Sequence, residues 1–219
     1  MPGRIVIITN PAHDRATEYL RSWSDGIHKS IVNLPPSTNI YELKHSDVTK
    51  EKFTQLVDEK NPDLILFHGH GSNRLIAGFE NNILIACDDN EELLNNRIIH
   101  SLTCDSGEEL GPKCINIGTK TYIGYKKEFK FAHLGETTIA LQFDDPIAEL
   151  FLRPAFEINK ALLEGETAEQ AYKRSQQMYK DNIQALITST DPNFNTVYAS
   201  GLYHDMTHQV ILGNKASSF

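Results

Sequence analysis

Two short apolar runs in this chain each end in a side chain that can take part in acyl transfer. The first is Asp63-Leu64-Ile65-Leu66-Phe67-His68-Gly69-His70-Gly71-Ser72. The second is Arg97-Ile98-Ile99-His100-Ser101-Leu102-Thr103-Cys104-Asp105-Ser106-Gly107. A cysteine attacks carbonyl carbon as the thiolate, and near neutral pH it needs help to lose its proton. A neighbouring imidazole can accept that proton or hand it to a departing amine. A His and a Cys at adjoining strand ends would therefore form a nucleophile and its base. Backbone N–H groups in the glycine turns, those of Gly71 and Cys104 foremost, are candidates to hold a developing oxyanion. Small residues at Gly69, Gly71 and Gly107 would let a peptide backbone approach closely. His68 and His70 lie two positions apart and so share a face if the strand continues, which leaves spacing alone unable to choose the base.

Each run reads as a buried strand closed by a turn, and strands alternate with helices from the start of the chain. That alternation argues for βαβ units and a mostly parallel sheet flanked by helices, with active groups at the carboxyl edge. A first strand is expected over residues 4–9, closed by Asn10-Pro11, and a helix near 14–28 with Tyr19, Leu20 and Trp23 on one face. A second strand over 39–43 precedes a helix that Thr49 caps and that runs to about residue 60. Residues 75–79 and 83–87 read as a hairpin, and 91–95 as a short helix. The stretch 114–125 reads as another strand. Pro154 suits the first turn of a helix ending at Gly165. Thr167 and Gln170 form a capping box for the next helix, and residues 209–212 are a last strand. Nothing calls for a second domain, so residues 1–219 are read as one.

Composition narrows the function classes. The chain is 40% hydrophobic and 23% charged, the balance of an ordinary globular protein. No apolar stretch approaches the roughly 20 residues of a membrane helix. The start, Met1-Pro2-Gly3-Arg4, lacks a secretory signal pattern, so a cytoplasmic location is expected. A net charge of −8 without a basic patch disfavours nucleic acid as a partner. The three cysteines (Cys87, Cys104 and Cys114) have no C-x-x-C spacing, which suits reduced thiols. Cys87 and Cys114 read as packing residues.

The two runs resemble the caspase-like cysteine peptidases of clan CD, a group that includes caspases, legumains, gingipains, separases and CHAT-domain proteins. His70-Gly71-Ser72 is similar to the His-Gly-Ser of legumains and gingipains. Cys104-Asp105-Ser106-Gly107 is similar to the Cys-(Glu/Asp)-Ser-Gly of legumains and many CHAT proteins. Two further echoes are Gly118-Thr119-Lys120-Thr121-Tyr122-Ile123-Gly124-Tyr125 and the closing Val210-Ile211-Leu212-Gly213-Asn214. The resemblance implies a caspase-like three-layer sandwich and a Cys104–His70 dyad with no required third member. It favours His70 over His68 as the base, because His70 directly precedes Gly-Ser. It also implies an endopeptidase acting on a protein or peptide, with a regulatory protein partner as in many CHAT proteins. The Gln-Ala-Cys-Arg-Gly segment of animal caspases is absent, and Leu102 stands where metacaspases have Asp. No residue preference is carried over, and only the acidic balance leans towards a basic residue before the cut.

The remaining candidates have plainer readings beside them. His68, Asp105 and Ser106 are candidates to line the substrate pocket, although His68 also suits a packed, hydrogen-bonded position. Asp144-Asp145 precedes a helix and is read as its cap rather than an acidic wall. His68-Gly69-His70 invites a metal reading, but zinc needs three or four ligands and Asn73-Arg74 follow where a further Asp-His pair would be required. No metal or cofactor is expected. Two other functions remain open: a catalytically silent caspase-like binding module, and a Cys-dependent amidase or acyl transferase. The Gly-x-Cys-x-Gly elbow of class I glutamine amidotransferases is missing around Cys104.

Overall fold

A computed structural model describes residues 3–135, 142–190 and 196–219. Its centre is a six-stranded sheet. Strands β1 (Arg4–Asn10), β2 (Thr38–Lys44), β3 (Leu64–His68), β7 (Ile98–Leu102) and β8 (Thr121–Tyr125) run parallel, and β9 (Gln209–Gly213) closes one edge antiparallel to β8. The spatial order is β2-β1-β3-β7-β8-β9. A second, three-stranded antiparallel sheet holds β4 (Gly71–Ser72), β5 (Leu75–Ala77) and β6 (Ile83–Ala86), and contains the expected hairpin. The chain leaves β1 first for β2 on one side and then for β3 on the other. The crevice between the carboxyl ends of β1 and β3 is therefore the topological switch point, where open α/β sheets bind ligands.

Both faces of the central sheet are covered, which is why its inner strands β3, β7 and β8 are buried along their whole length. The period-2 alternation still sorts their side chains. Ile7, Ile65, Phe67, Ile99 and Tyr122 meet α2 (Lys50–Lys60) and α3 (Leu110–Ile117) on one face. Val6, Ile8, Leu64, Leu66, Ile98 and Ile123 meet α4 (Pro146–Leu163) and α5 (Ala168–Thr188) on the other. The helix α1 (Arg15–Ser30) packs Tyr19, Leu20, Trp23 and Ile27 against α4 on that same side. A sixth helix, α6 (Thr196–His208), leans on α5 and runs straight into β9.

Two expectations are corrected. Residues 114–125 are not one strand: Cys114 lies in α3, whose buried residues Leu110, Gly111 and Cys114 follow helical spacing, and β8 begins at Thr121. Pro154 does not open a helix but sits inside α4, whose first-turn proline is Pro146. A proline there removes the N–H that would bond the Leu150 carbonyl, a loss of roughly 3 kcal/mol in an isolated helix. Asn182 of α5 supplies a replacement, donating from Nδ2 to that carbonyl at 2.8 Å. Asp145 caps α4 as expected, its Oδ1 accepting from Ile147 and Ala148 N–H. Among the described residues no helix is long and apolar enough to cross a membrane.

Candidate active site

The register of β3 against β7 sets the site. His68 stands opposite Leu102 at the last pair of the ladder. His70 and Cys104 each lie two residues past that pair, at the same distance beyond the edge of neighbouring strands. The Gly69 N–H donates to the Leu102 carbonyl and carries the pairing into the turn. Both side chains face one cavity of about 520 Å³, walled by Gly69 and His70, by Leu102, Thr103 and Cys104, by the first turns of α1, and by the 128–131 segment after β8.

His70 is oriented from the third strand of the set. β1 ends at Asn10, and Asp14 begins α1 four residues later. One carboxylate oxygen of Asp14, Oδ1, accepts from the Thr17 N–H at 2.9 Å and so caps the helix. The other, Oδ2, lies 2.6 Å from His70 Nε2. Burial opposes ionisation of Asp14, but the hydrogen bonds from Thr17 and His70 outweigh it and bring the carboxyl down to about 2. A carboxylate that stays ionised accepts from Nε2–H, which leaves the Nδ1 lone pair of neutral His70 available as a base. The His70 side chain is 38% exposed, so substrate can reach it.

Cys104 is partly buried and free. Burial raises its pKa first, and the nearby carboxylates of Glu128, Asp105 and Asp205 add to the rise, against a backbone hydrogen bond from Phe129. The resting sulfur is therefore a thiol. Beneath it Thr103, Ser106 and Ser101 form a buried cluster of hydroxyls, with Thr103 Oγ1 2.9 Å from Ser106 Oγ and 2.8 Å from Ser101 Oγ. That cluster pins the turn carrying the thiol.

None of the three residues expected to line the pocket is among those walling this cavity, although the charge of Asp105 acts on Cys104. Ser106 is buried in the hydroxyl cluster, and Asp105 adopts a left-handed backbone (φ 56°) at the turn. His68 is 1% exposed and faces α4, away from the cavity. The turn after β3 thus separates two histidines that spacing alone placed on one face. His68 Nδ1 meets Asn10 Oδ1 at 2.8 Å, and Asn159 Nδ2 meets His68 Nε2 at 2.8 Å. Asn159 Oδ1 then pairs with Nδ1 of His100. Read as donors and acceptors, this ladder fixes both histidines as neutral Nδ1–H tautomers. Burial drives both down, His68 far below its ordinary range and His100 to about 4.

The glycines next to the site are also required by the chain's own packing. A Cβ on Gly71 would lie 2.9 Å from the Leu75 carbonyl and 3.0 Å from Thr103. One on Gly107 would meet Val210 at 2.8 Å and the Tyr125 carbonyl at 3.0 Å. Cys114 is buried in the α2–α3 core and Cys87 packs against that core. Sequence reasoning missed Asp14, Asn159 and Glu128. An Asp three residues before Thr17, just past the first strand, was the available signal for the first.

Neither protein-family models nor curated proteins match this chain.

Proposed function

We propose that the chain is a caspase-like cysteine endopeptidase working through Cys104 and His70. The observation that carries this reading is the placement of both groups two residues past one register pair, on one cavity, with His70 Nε2 held by Asp14. His70 Nδ1 takes the thiol proton as Cys104 Sγ attacks the scissile carbonyl. The Asp14 carboxylate balances the imidazolium that forms. The imidazolium then protonates the departing amine, leaving a thioester on Cys104. His70 next removes a proton from water, which hydrolyses the thioester and regenerates the thiol. The Gly71 and Cys104 amides are the donors assigned to the oxyanion. Glu128 and Lys130 both stand on the cavity wall, and only the overall charge of −8 leans towards a basic residue before the cut. Three free thiols suit a reducing compartment such as the cytoplasm.

A second reading has its own support. Burial first, and then the carboxylates around it, hold Cys104 as a thiol, which fits an enzyme switched on by a partner, or a silent binding module. Cleavage of a fluorogenic peptide library by the wild-type chain, beside Cys104→Ala and His70→Ala, separates the two. Turnover lost in both variants supports the dyad. Silence from the wild type favours the gated or silent reading, and turnover that survives Cys104→Ala overturns the peptidase assignment.

A further inference from the structure

One buried group near the cavity has no role in the mechanism above. His13 is 9% exposed at its side chain, and neither ring nitrogen has a hydrogen-bond partner. A buried polar atom left unpaired is costly, so such an atom calls for a ligand. The ring is wedged edge-on between His70 and Phe79, with centroids 5.8 Å and 5.7 Å away. Its Nε2 lies 3.7 Å from the same Asp14 Oδ2 that meets His70 Nε2 at 2.6 Å. One donor atom from each of His13, Asp14 and His70 falls within a 4.8 Å span.

We propose that His13, Asp14 and His70 form a binding site for a zinc-class divalent cation that blocks the base. Two imidazole nitrogens and one carboxylate oxygen match the three protein ligands of an open zinc site, with water completing the shell. Bonds of about 2.0–2.1 Å in a tetrahedron need donors roughly 3.3 Å apart, close to the His13–Asp14 separation. The imidazoles disfavour magnesium and calcium, which prefer oxygen. Coordination through His70 Nε2 displaces its proton to Nδ1 and uses the Asp14 oxygen that had accepted it. The Nδ1 lone pair is then gone, and His70 no longer takes the thiol proton of Cys104. No electron is transferred and no bond beyond coordination is made. The blocking role rests on the peptidase reading; the cation site does not.

The test is calorimetric titration of Zn²⁺ into the chelator-stripped full chain, beside His13→Gln, His13→Phe and Cys104→Ala. The phenylalanine keeps the ring packing and deletes both nitrogens, so it reports on binding even where the glutamine disturbs the fold. The expected result is one equivalent bound, weakened at least about tenfold in both His13 variants and unchanged in Cys104→Ala. Absence of binding, affinity indifferent to His13, or binding lost in Cys104→Ala each overturns the site. Peptide cleavage with and without one equivalent of Zn²⁺ tests the blocking role. Zinc is expected to abolish cleavage reversibly in the wild type and much less in His13→Phe. Cleavage that persists with zinc bound overturns the block and spares the site. A chain that never cleaves peptide overturns unaided cleavage and the block together, while the calorimetry still decides the site.

Discussion

Asp14 Oδ2 lies 2.6 Å from His70 Nε2, while Oδ1 of the same carboxylate accepts the Thr17 N–H at the start of α1. One side chain thus sets where the helix begins and which way the imidazole points. The helix N-terminus favours a negative charge at that position, and His70 is aligned against a group that stays ionised. In the proposed mechanism Asp14 is a positioning residue that acts through His70.

Asp14→Asn separates the two tasks. Asparagine is an equally good helix cap but lacks the charge that the helix N-terminus favours, so the melting temperature should fall by the equivalent of only about 0.5–1 kcal/mol. The charge opposite the imidazolium is lost, and kcat should fall roughly 10–100-fold with KM little changed. A merely structural Asp14 would instead leave kcat intact, and steady-state kinetics of the two chains decide between them.

Acid should destabilise the fold well above the range of its carboxylates. Burial first, and then neighbouring His100 and His28, hold His68 neutral, and burial holds His100 down to about 4 against an ordinary 6.5. The unfolded chain binds protons at these sites before the folded one does, so stability falls as pH drops from 6.5 towards 4. His100 alone contributes about 3 kcal/mol to that loss. Thermal melts across this window should show a steep decline, and a flat profile would contradict the neutral ladder.

Asn159 carries both histidines from α4, donating to His68 and accepting from His100. Asn159→Leu leaves two buried ring nitrogens unpaired and should cost about 2–4 kcal/mol in denaturant unfolding. Because β3 and β7 then lose their shared tie to α4, cleavage should weaken as well. A neutral effect on stability would show that the ladder is dispensable.

Much of this architecture is written locally in the chain. The apolar runs at residues 64–68 and 98–102 identify their own strands, and the turn after each places His70 and Cys104 at the sheet edge. Caps at Thr49 and Thr167 mark helix starts through their own side-chain hydrogen bonds. What failed depended on distant partners. Pro154 is tolerated inside α4 because Asn182, 28 positions later, takes up the freed carbonyl. The Cys-Ile-Asn-Ile stretch at 114–117 alternates like a strand, yet α3 is settled by its packing against Tyr122 and Leu212. His68 and His70 look equivalent in sequence; one is committed to Asn10 and Asn159 and the other to Asp14, contacts that span 56–91 positions.

The proposed mechanism stands or falls on whether His70 activates Cys104. A peptidyl acyloxymethyl ketone with lysine or arginine at its reactive end, followed by mass-spectrometric mapping, tests it most directly. Labelling is expected at Cys104 and not in Cys104→Ala, with a rate at least about 100-fold slower in His70→Ala but close to wild type in His68→Gln. Labelling at Cys87, or at Cys104 with a rate indifferent to His70→Ala, would contradict it.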